Sequence, residues 1–160
     1  MNQEFNANEI FIMAEQIEIE AYKFYLKAAE ETPKEEDKAF LKKLASFEVE
    51  HQNLFSEMRE KLSDQEKTEL TFDPNNEAED YCRSFARMQN IVKRNVDFTN
   101  MKEILLNAIM IEKDTIVFYS GMKKFVSEAF GKGRIDELIH EELRHIDILT
   151  KQYDSITATA

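Results

Sequence analysis

The sequence predicts an all-α protein built as a bundle of four long helices, and three observations support this. Only 3 Gly and 2 Pro occur among 160 residues, too few turn residues for a sandwich or barrel of many strands. Apolar residues recur at helical spacing in four long stretches. The length and the 42% hydrophobic content are enough for one domain with a substantial core. We therefore expect residues 1–160 to form a single helical domain.

The first two helices are predicted at about residues 8–32 and 36–62. Asn8 is the expected N-cap of the first helix, and Pro33 ends it because proline cannot continue a helix. The apolar stripes are Ile10, Ala14, Ile17, Ala21, Tyr25 and Ala28 in the first helix, and Phe40, Leu41, Leu44, Phe55 and Met58 in the second.

The other two long helices are predicted at about residues 100–127 and 133–154. Asn100 and Glu103 have the spacing of a capping box, which marks the start of the third helix. Gly131 and Gly133 precede the fourth. The apolar stripes are Leu105, Ala108, Ile109, Ile116 and Tyr119, then Ile135, Leu138, Ile139, Ile146 and Leu149.

A long connection, residues 63–99, separates the two helix pairs. It begins with polar residues, contains the turn sequence Asp-Pro-Asn-Asn at 73–76, and continues with a short helix through Tyr81, Phe85 and Met88. The short links within each pair predict two antiparallel hairpins. The long link can run the length of the bundle, as the crossover of ferritin-like four-helix bundles does.

Charge and cysteine content exclude several classes of function. The net charge of −11 opposes binding to phosphate backbones, so a nucleic-acid partner is not expected. Cys82 is the only cysteine, which excludes an internal disulfide, a CxxC redox motif and a four-thiolate metal site. Neither a signal peptide nor an apolar run of membrane-spanning length is present. We expect a cytoplasmic protein without a membrane partner.

The sequence contains an internal repeat, because a shift of 94 residues superimposes one predicted hairpin on the other. Each half has a Glu and, thirty positions later, a Glu-x-x-His. The matching polar residues are Glu18 with Glu112, Glu48 with Glu142, and His51 with His145.

This repeat predicts one polar layer inside the bundle. The two Glu residues of each half are about equally far from the turn of their hairpin, so they should lie at the same height. The Glu and His of each Glu-x-x-His are three residues apart and share a helix face. All six residues interrupt apolar stripes, where charged groups are rare unless they are paired or bind a metal. Two divalent cations would balance four carboxylates, and the set matches the carboxylate di-metal sites of helix bundles.

These six positions, together with Tyr25 and Tyr119, resemble the rubrerythrin family of the ferritin-like superfamily, in a form with the di-iron domain alone. The similarity extends over about residues 8–155. It implies a centre of two iron ions that reduces hydrogen peroxide or dioxygen, with electrons from an external donor such as a rubredoxin-like protein. It also implies that Glu48 and Glu142 bridge the metals, that Glu18 and Glu112 are terminal ligands, and that His51 and His145 each bind one iron.

The chain departs from that family in two respects. It lacks the rubredoxin domain with two CxxC pairs, and it has Thr115 where rubrerythrins have an additional Glu one turn after the third-helix ligand. That additional Glu takes part in redox-linked iron movement in the family, so its replacement by Thr115 argues against specialisation for peroxide.

Several alternatives remain open at this stage. Tyr25 and Tyr119 are either core aromatics with buried hydroxyls or hydrogen-bond donors to a ligand or to peroxide. Glutamates beside the ligands, including Glu141, are interpreted as solvated. Carboxylate and imidazole ligands suit iron or manganese, but zinc is also compatible. A non-enzymatic iron-binding or storage module and a structural metal-binding domain are the alternatives to an oxidoreductase. The apolar crossover helix favours a homodimer.

Overall fold

The fold consists of two helical hairpins joined by a long crossover. It is described by a computed structural model for residues 6–68, 75, 77–91, 95–126 and 128–158. The helices are α1 (Ala7–Glu31), α2 (Glu35–Glu60), α3 (Asp64–Thr68), α4 (Glu77–Ile91), α5 (Met101–Met122) and α6 (Lys132–Ala158). α1 packs along α2 and α5 along α6, while α3 and α4 lie in the crossover. The predicted fold class is therefore confirmed. Among the described residues, no helix is both long and apolar enough to span a membrane.

Side-chain caps set the starts of α1 and α5. Asn6, not Asn8, is the N-cap of α1: it accepts a hydrogen bond from the Glu9 backbone N–H at 3.0 Å, and Glu9 accepts one from the Asn6 N–H at 3.3 Å. The prediction of Asn8 was wrong because the residue three positions after it is Phe11, which cannot complete a capping box. Asn100 caps α5 as predicted.

The link between α5 and α6 begins earlier than the periodicity indicated. α5 ends at Met122 instead of continuing to residue 127, and a 3₁₀ turn at Glu128–Phe130 precedes α6. Gly131 has a φ of 98°, a conformation that residues with a Cβ rarely adopt, and it leads directly into α6. The predicted turn at 73–76 lies, except for Asn75, outside the described residues.

Two apolar clusters fill the bundle, one toward each end. One contains Ile10, Ala14, Phe55, Phe118, Tyr119, Ile135 and Leu138, and the other contains Tyr25, Ala28, Leu41, Leu44, Ile104, Ala108 and Leu149. Every long helix passes from one cluster to the other at the position of its candidate ligands. The polar layer therefore lies between the two apolar clusters, and these clusters limit its contact with water.

The crossover helix α4 is anchored on α5. The Tyr81 hydroxyl donates to the Val117 carbonyl oxygen at 2.5 Å, and the ring lies where a Cβ on Gly121 would be. Cys82 and Phe85 are buried in the first apolar cluster. Burial raises the pKa of the Cys82 thiol to about 12, which disfavours the thiolate form that a nucleophilic cysteine needs.

Candidate metal centre

The six predicted ligand residues meet in the middle of the bundle. α1 and α5 contribute Glu18 and Glu112, and α2 and α6 each contribute the Glu and His of one Glu-x-x-His. None of the six is more than 5% exposed. They form two overlapping groups in which the donor atoms lie within 4.8 Å of one another, and the groups share two glutamates. The groups are Glu18, Glu48, His51 and Glu142, and Glu48, Glu112, Glu142 and His145.

The shared glutamates face both histidines. Glu142 places one oxygen 2.9 Å from Nδ1 of His51 and the other 2.9 Å from Nδ1 of His145. Glu48 does the same at longer range, at 3.7 Å and 3.6 Å. Glu18 lies 3.6 Å from Nδ1 of His51 only, and Glu112 lies 3.8 Å from Nδ1 of His145 only. Two glutamates therefore span both halves of the centre, and the other two each belong to one half.

Many polar atoms in this layer have no hydrogen-bond partner. They include both carboxylate oxygens of Glu18 and of Glu142, one oxygen each of Glu48 and Glu112, and Nδ1 of both histidines. Leaving ions buried and unpaired costs several kcal/mol each, and no described lysine or arginine pairs with these carboxylates. A buried set of oxygen and imidazole donors facing one another without partners fits a pair of divalent cations.

The crowding of buried carboxylates also shifts the pKa values of the residues in this layer. Burial, together with repulsion from the neighbouring carboxylates, raises the pKa of Glu18 and of Glu112 well above the ordinary value. Burial alone would also raise the pKa of Glu142, but the imidazoles of His145 and His51, each with Nδ1 2.9 Å from one of its oxygens, outweigh it and lower that pKa to about 2. Burial works against the charged form of His51, but its carboxylate partners prevail and raise its pKa.

The two tyrosines have different environments although they are equivalent in the repeat. The Tyr25 hydroxyl donates a hydrogen bond to Oε1 of Glu112. Burial and the nearby Glu112 raise the Tyr25 pKa, so the hydroxyl stays protonated and remains a donor. The Tyr119 hydroxyl is buried without a partner. Tyr25 therefore contacts a candidate ligand, while Tyr119 contributes its ring to the apolar cluster beside Phe55.

The outer faces of the two histidines also differ. Nε2 of His51 lies 2.8 Å from a carboxylate oxygen of Glu141 on α6. Phe47 on α2 instead stacks on the His145 ring, with centroids 5.1 Å apart. The Glu141 side chain keeps 43% of its surface exposed, as a solvated position would, but it also reaches Nε2 of His51. The residue before Glu142 lies about 100° around α6, on the side that meets α2. Nothing in the local sequence pattern distinguishes it from a surface glutamate.

A cleft of about 580 Å³ lies beside the centre, between α1, α5 and the crossover. Its most buried lining residues are Ile17, Ala21 and Thr115, each within one helical turn of Glu18 or Glu112. Thr115 is not among the donor groups, and its hydroxyl donates to the Ile111 carbonyl oxygen at 3.0 Å. Lys23 and Lys27 also line the cleft.

The fold has a counterpart among solved structures. The chain is similar to a protein from Thermotoga maritima, described provisionally as a ferritin-like diiron-carboxylate protein, with a TM-score of 0.66. The two are 21% identical, and the match covers 96% of this chain and 97% of the other. No protein-family model and no curated protein sequence matches this chain. At this level of identity the comparison establishes a ferritin-like fold and nothing finer.

Proposed function

We propose that this chain is a non-haem di-iron carboxylate protein that reduces hydrogen peroxide or dioxygen with electrons from an external donor. The observation that carries the proposal is the layer of four carboxylates and two imidazoles, buried between apolar clusters and facing inward with no described lysine or arginine paired to them. The ferritin-like fold, shared with a protein described as a diiron-carboxylate protein, supports the same assignment.

The donor arrangement indicates how the residues would hold two metal ions. Glu48 and Glu142 would bridge, because each already presents an oxygen to both histidines. Glu18 and His51 would complete one position, and Glu112 and His145 the other. Oxygen-rich sites with imidazole suit iron or manganese. A bound pair of iron ions would supply the electrons for reduction of the oxidant.

The chain itself would orient the ligands and exclude water. Tyr25 holds one oxygen of Glu112 and retains its proton, so that carboxylate has a fixed orientation. The cleft that Ala21 and Thr115 line would then be the route by which a small oxidant approaches the centre.

Anaerobic purification with metal analysis, followed by stopped-flow oxidation, tests this proposal. We expect about two irons per chain, and oxidation of the reduced protein by peroxide or dioxygen followed by repeated turnover with a reduced rubredoxin as donor. Zinc at both positions, with no oxidant reaction after iron loading, would favour a structural metal-binding domain. Iron uptake far above two ions per chain in a many-subunit shell would favour storage.

A second candidate function is oxidation of an apolar organic molecule, and the cleft is the observation that favours it. Its volume of about 580 Å³ is within the usual range for small-molecule sites and much larger than peroxide requires. Phe24, Phe98 and Met110 contribute apolar walls. Oxidant consumption that accelerates only when an apolar ligand is added would favour this alternative over a simple peroxidase.

A further inference from the structure

The two candidate metal positions have equivalent donor residues, but the two histidines differ in what contacts the side of the ring that faces away from the centre. His51 and His145 occupy the same position in the repeat, and so do Phe47 and Glu141, which are also 94 residues apart. Each member of the second pair touches the histidine of the opposite hairpin: Glu141 lies on Nε2 of His51, and Phe47 stacks on the ring of His145. The same repeat position is therefore an aromatic ring, Phe47, in the first half and a carboxylate, Glu141, in the second.

These contacts act differently on a histidine ligand. Nδ1 of both histidines faces the inner carboxylates. At His51, a carboxylate 2.8 Å from Nε2 holds the proton on that nitrogen, which leaves the Nδ1 lone pair free for a metal and makes it more basic. At His145, the Phe47 ring, stacked at 22° to the imidazole, restrains the imidazole plane but accepts no conventional hydrogen bond.

We infer that Glu141 is a positioning residue that makes the two metal positions unequal. The first divalent ion binds with Glu18, Glu48, His51 and Glu142, and the second binds more weakly with Glu112 and His145. This inference rests on the proposed metal centre and goes beyond it, because the sequence repeat by itself predicts two equal positions. Outer-shell carboxylates on histidine ligands typically change metal affinity by 10–100-fold.

Titration of the complete, metal-free chain with Co²⁺ under anaerobic conditions tests this inference. We expect two binding steps in the unmodified protein. Glu141→Ala should weaken the first step 10–100-fold and bring the two affinities together, and Glu141→Gln, which keeps an acceptor oxygen without the charge, should have a smaller effect. Glu50→Ala is the matched control, since exposed Glu50 is next to His51 in sequence and carries the same charge. It should leave both steps unchanged.

A second measurement does not depend on affinity. In the Zn²⁺-loaded protein with ¹⁵N-labelled histidine, the His51 Nε2–H signal should be shifted downfield and should exchange slowly with solvent. Glu141→Ala should abolish both properties while His145 is unaffected. Two equal Co²⁺ steps in the unmodified protein, or steps that do not respond to Glu141→Ala, would overturn the inference and leave the metal centre intact. Failure to bind any Co²⁺ would instead contradict the proposed centre itself.

Discussion

The Tyr25 hydroxyl on α1 donates a hydrogen bond to Glu112 on α5, and this bond connects the two helical hairpins at the polar layer. The contact joins residues 87 positions apart in sequence. Tyr119 is the repeat equivalent of Tyr25, yet its hydroxyl has no partner. Tyr119 can therefore serve as a control for Tyr25, because only Tyr25 contacts a candidate ligand.

We predict that Tyr25→Phe destabilises the metal-free protein by about 1–3 kcal/mol, the usual cost of leaving a buried acceptor without its hydrogen-bond partner. Tyr119→Phe is the control, and it should be neutral or slightly stabilising because it removes a buried hydroxyl without a partner. Urea unfolding of both variants measures the difference. Equal losses of stability would show that the Tyr25 hydroxyl contributes nothing beyond its packing.

The shared glutamates should matter for both metals, and the unshared ones for one metal each. We predict that Glu142→Ala loses almost all bound metal, because its two oxygens each face a different histidine at 2.9 Å. Glu18→Ala should retain about one ion per chain, since Glu18 belongs to one group only. Metal analysis after desalting measures the stoichiometry. A Glu142→Ala protein that keeps both ions would contradict its bridging role.

The metal-free protein should lose stability as the pH rises. Glu18 and Glu112 have folded-state pKa values raised above the ordinary 4.5, chiefly by burial. A raised carboxyl pKa contributes stability fully below the unfolded value, and the contribution is lost as the pH rises through the folded value. His51, whose pKa is also raised, acts in the same direction above its ordinary 6.5. The lowered pKa of Glu142 acts in the opposite direction, but its contribution is complete above the ordinary 4.5 and is lost only as the pH falls toward about 2, so it does not change between pH 5 and pH 8.

Thermal melts of chelator-treated protein at pH 5 and pH 8 measure this effect. We expect the melting temperature to be lower at pH 8 by at least about 2–4 °C, which is about 1 kcal/mol for a chain of this size. Glu112→Gln should reduce the difference, and Glu20→Gln, which removes a charge from an exposed position, should not. Metal-loaded protein should show a smaller difference, because bound cations stabilise the ionised carboxylates. A metal-free protein equally stable at both pH values would contradict the raised pKa values.

How much of this site could be predicted from the sequence depends on the kind of contact. The meeting of Glu18 with Glu48, and of Glu112 with Glu142, could be predicted because their height is determined by spacing within one hairpin. The contact between Tyr25 and Glu112 could not be assigned, because it depends on how one hairpin is rotated and offset against the other. The repeat even predicts that Tyr119 should behave as Tyr25 does, and the structure shows that it does not.

The fold, too, has features that the sequence predicts and features that it does not. Helical periodicity predicted the four long helices and the crossover helix, because burial of one face repeats along the chain. The helix ends were less predictable: Asn6 and Asn8 both have cap-forming side chains, and only the reciprocal bond with Glu9 decides between them. The contact between Glu141 and His51 could not be predicted either, because the two residues lie on different hairpins, 90 positions apart in sequence.

Thr115 stands where the resemblance to rubrerythrins would place an additional glutamate. Its hydroxyl is bonded to the backbone of its own helix, and its side chain is too short to join the donor group one turn away. We therefore expect His51 and His145 each to keep its metal in both oxidation states, so that the irons do not move from one ligand to another. Crystal structures of oxidised and reduced protein test this, and a histidine that leaves its metal would contradict it.

Thr115→Glu should restore a fifth carboxylate beside the centre and raise peroxide turnover about tenfold, equivalent to about 1.4 kcal/mol of activation free energy. The side chain has space to extend, because Thr115 borders the cleft. Thr115→Gln is the matched control: it has the same length and can form hydrogen bonds, but it adds no charge to stabilise an oxidised metal pair. Only the glutamate variant should show the higher rate with peroxide. If glutamine accelerates turnover equally, the effect comes from filling the cleft and not from an added carboxylate ligand.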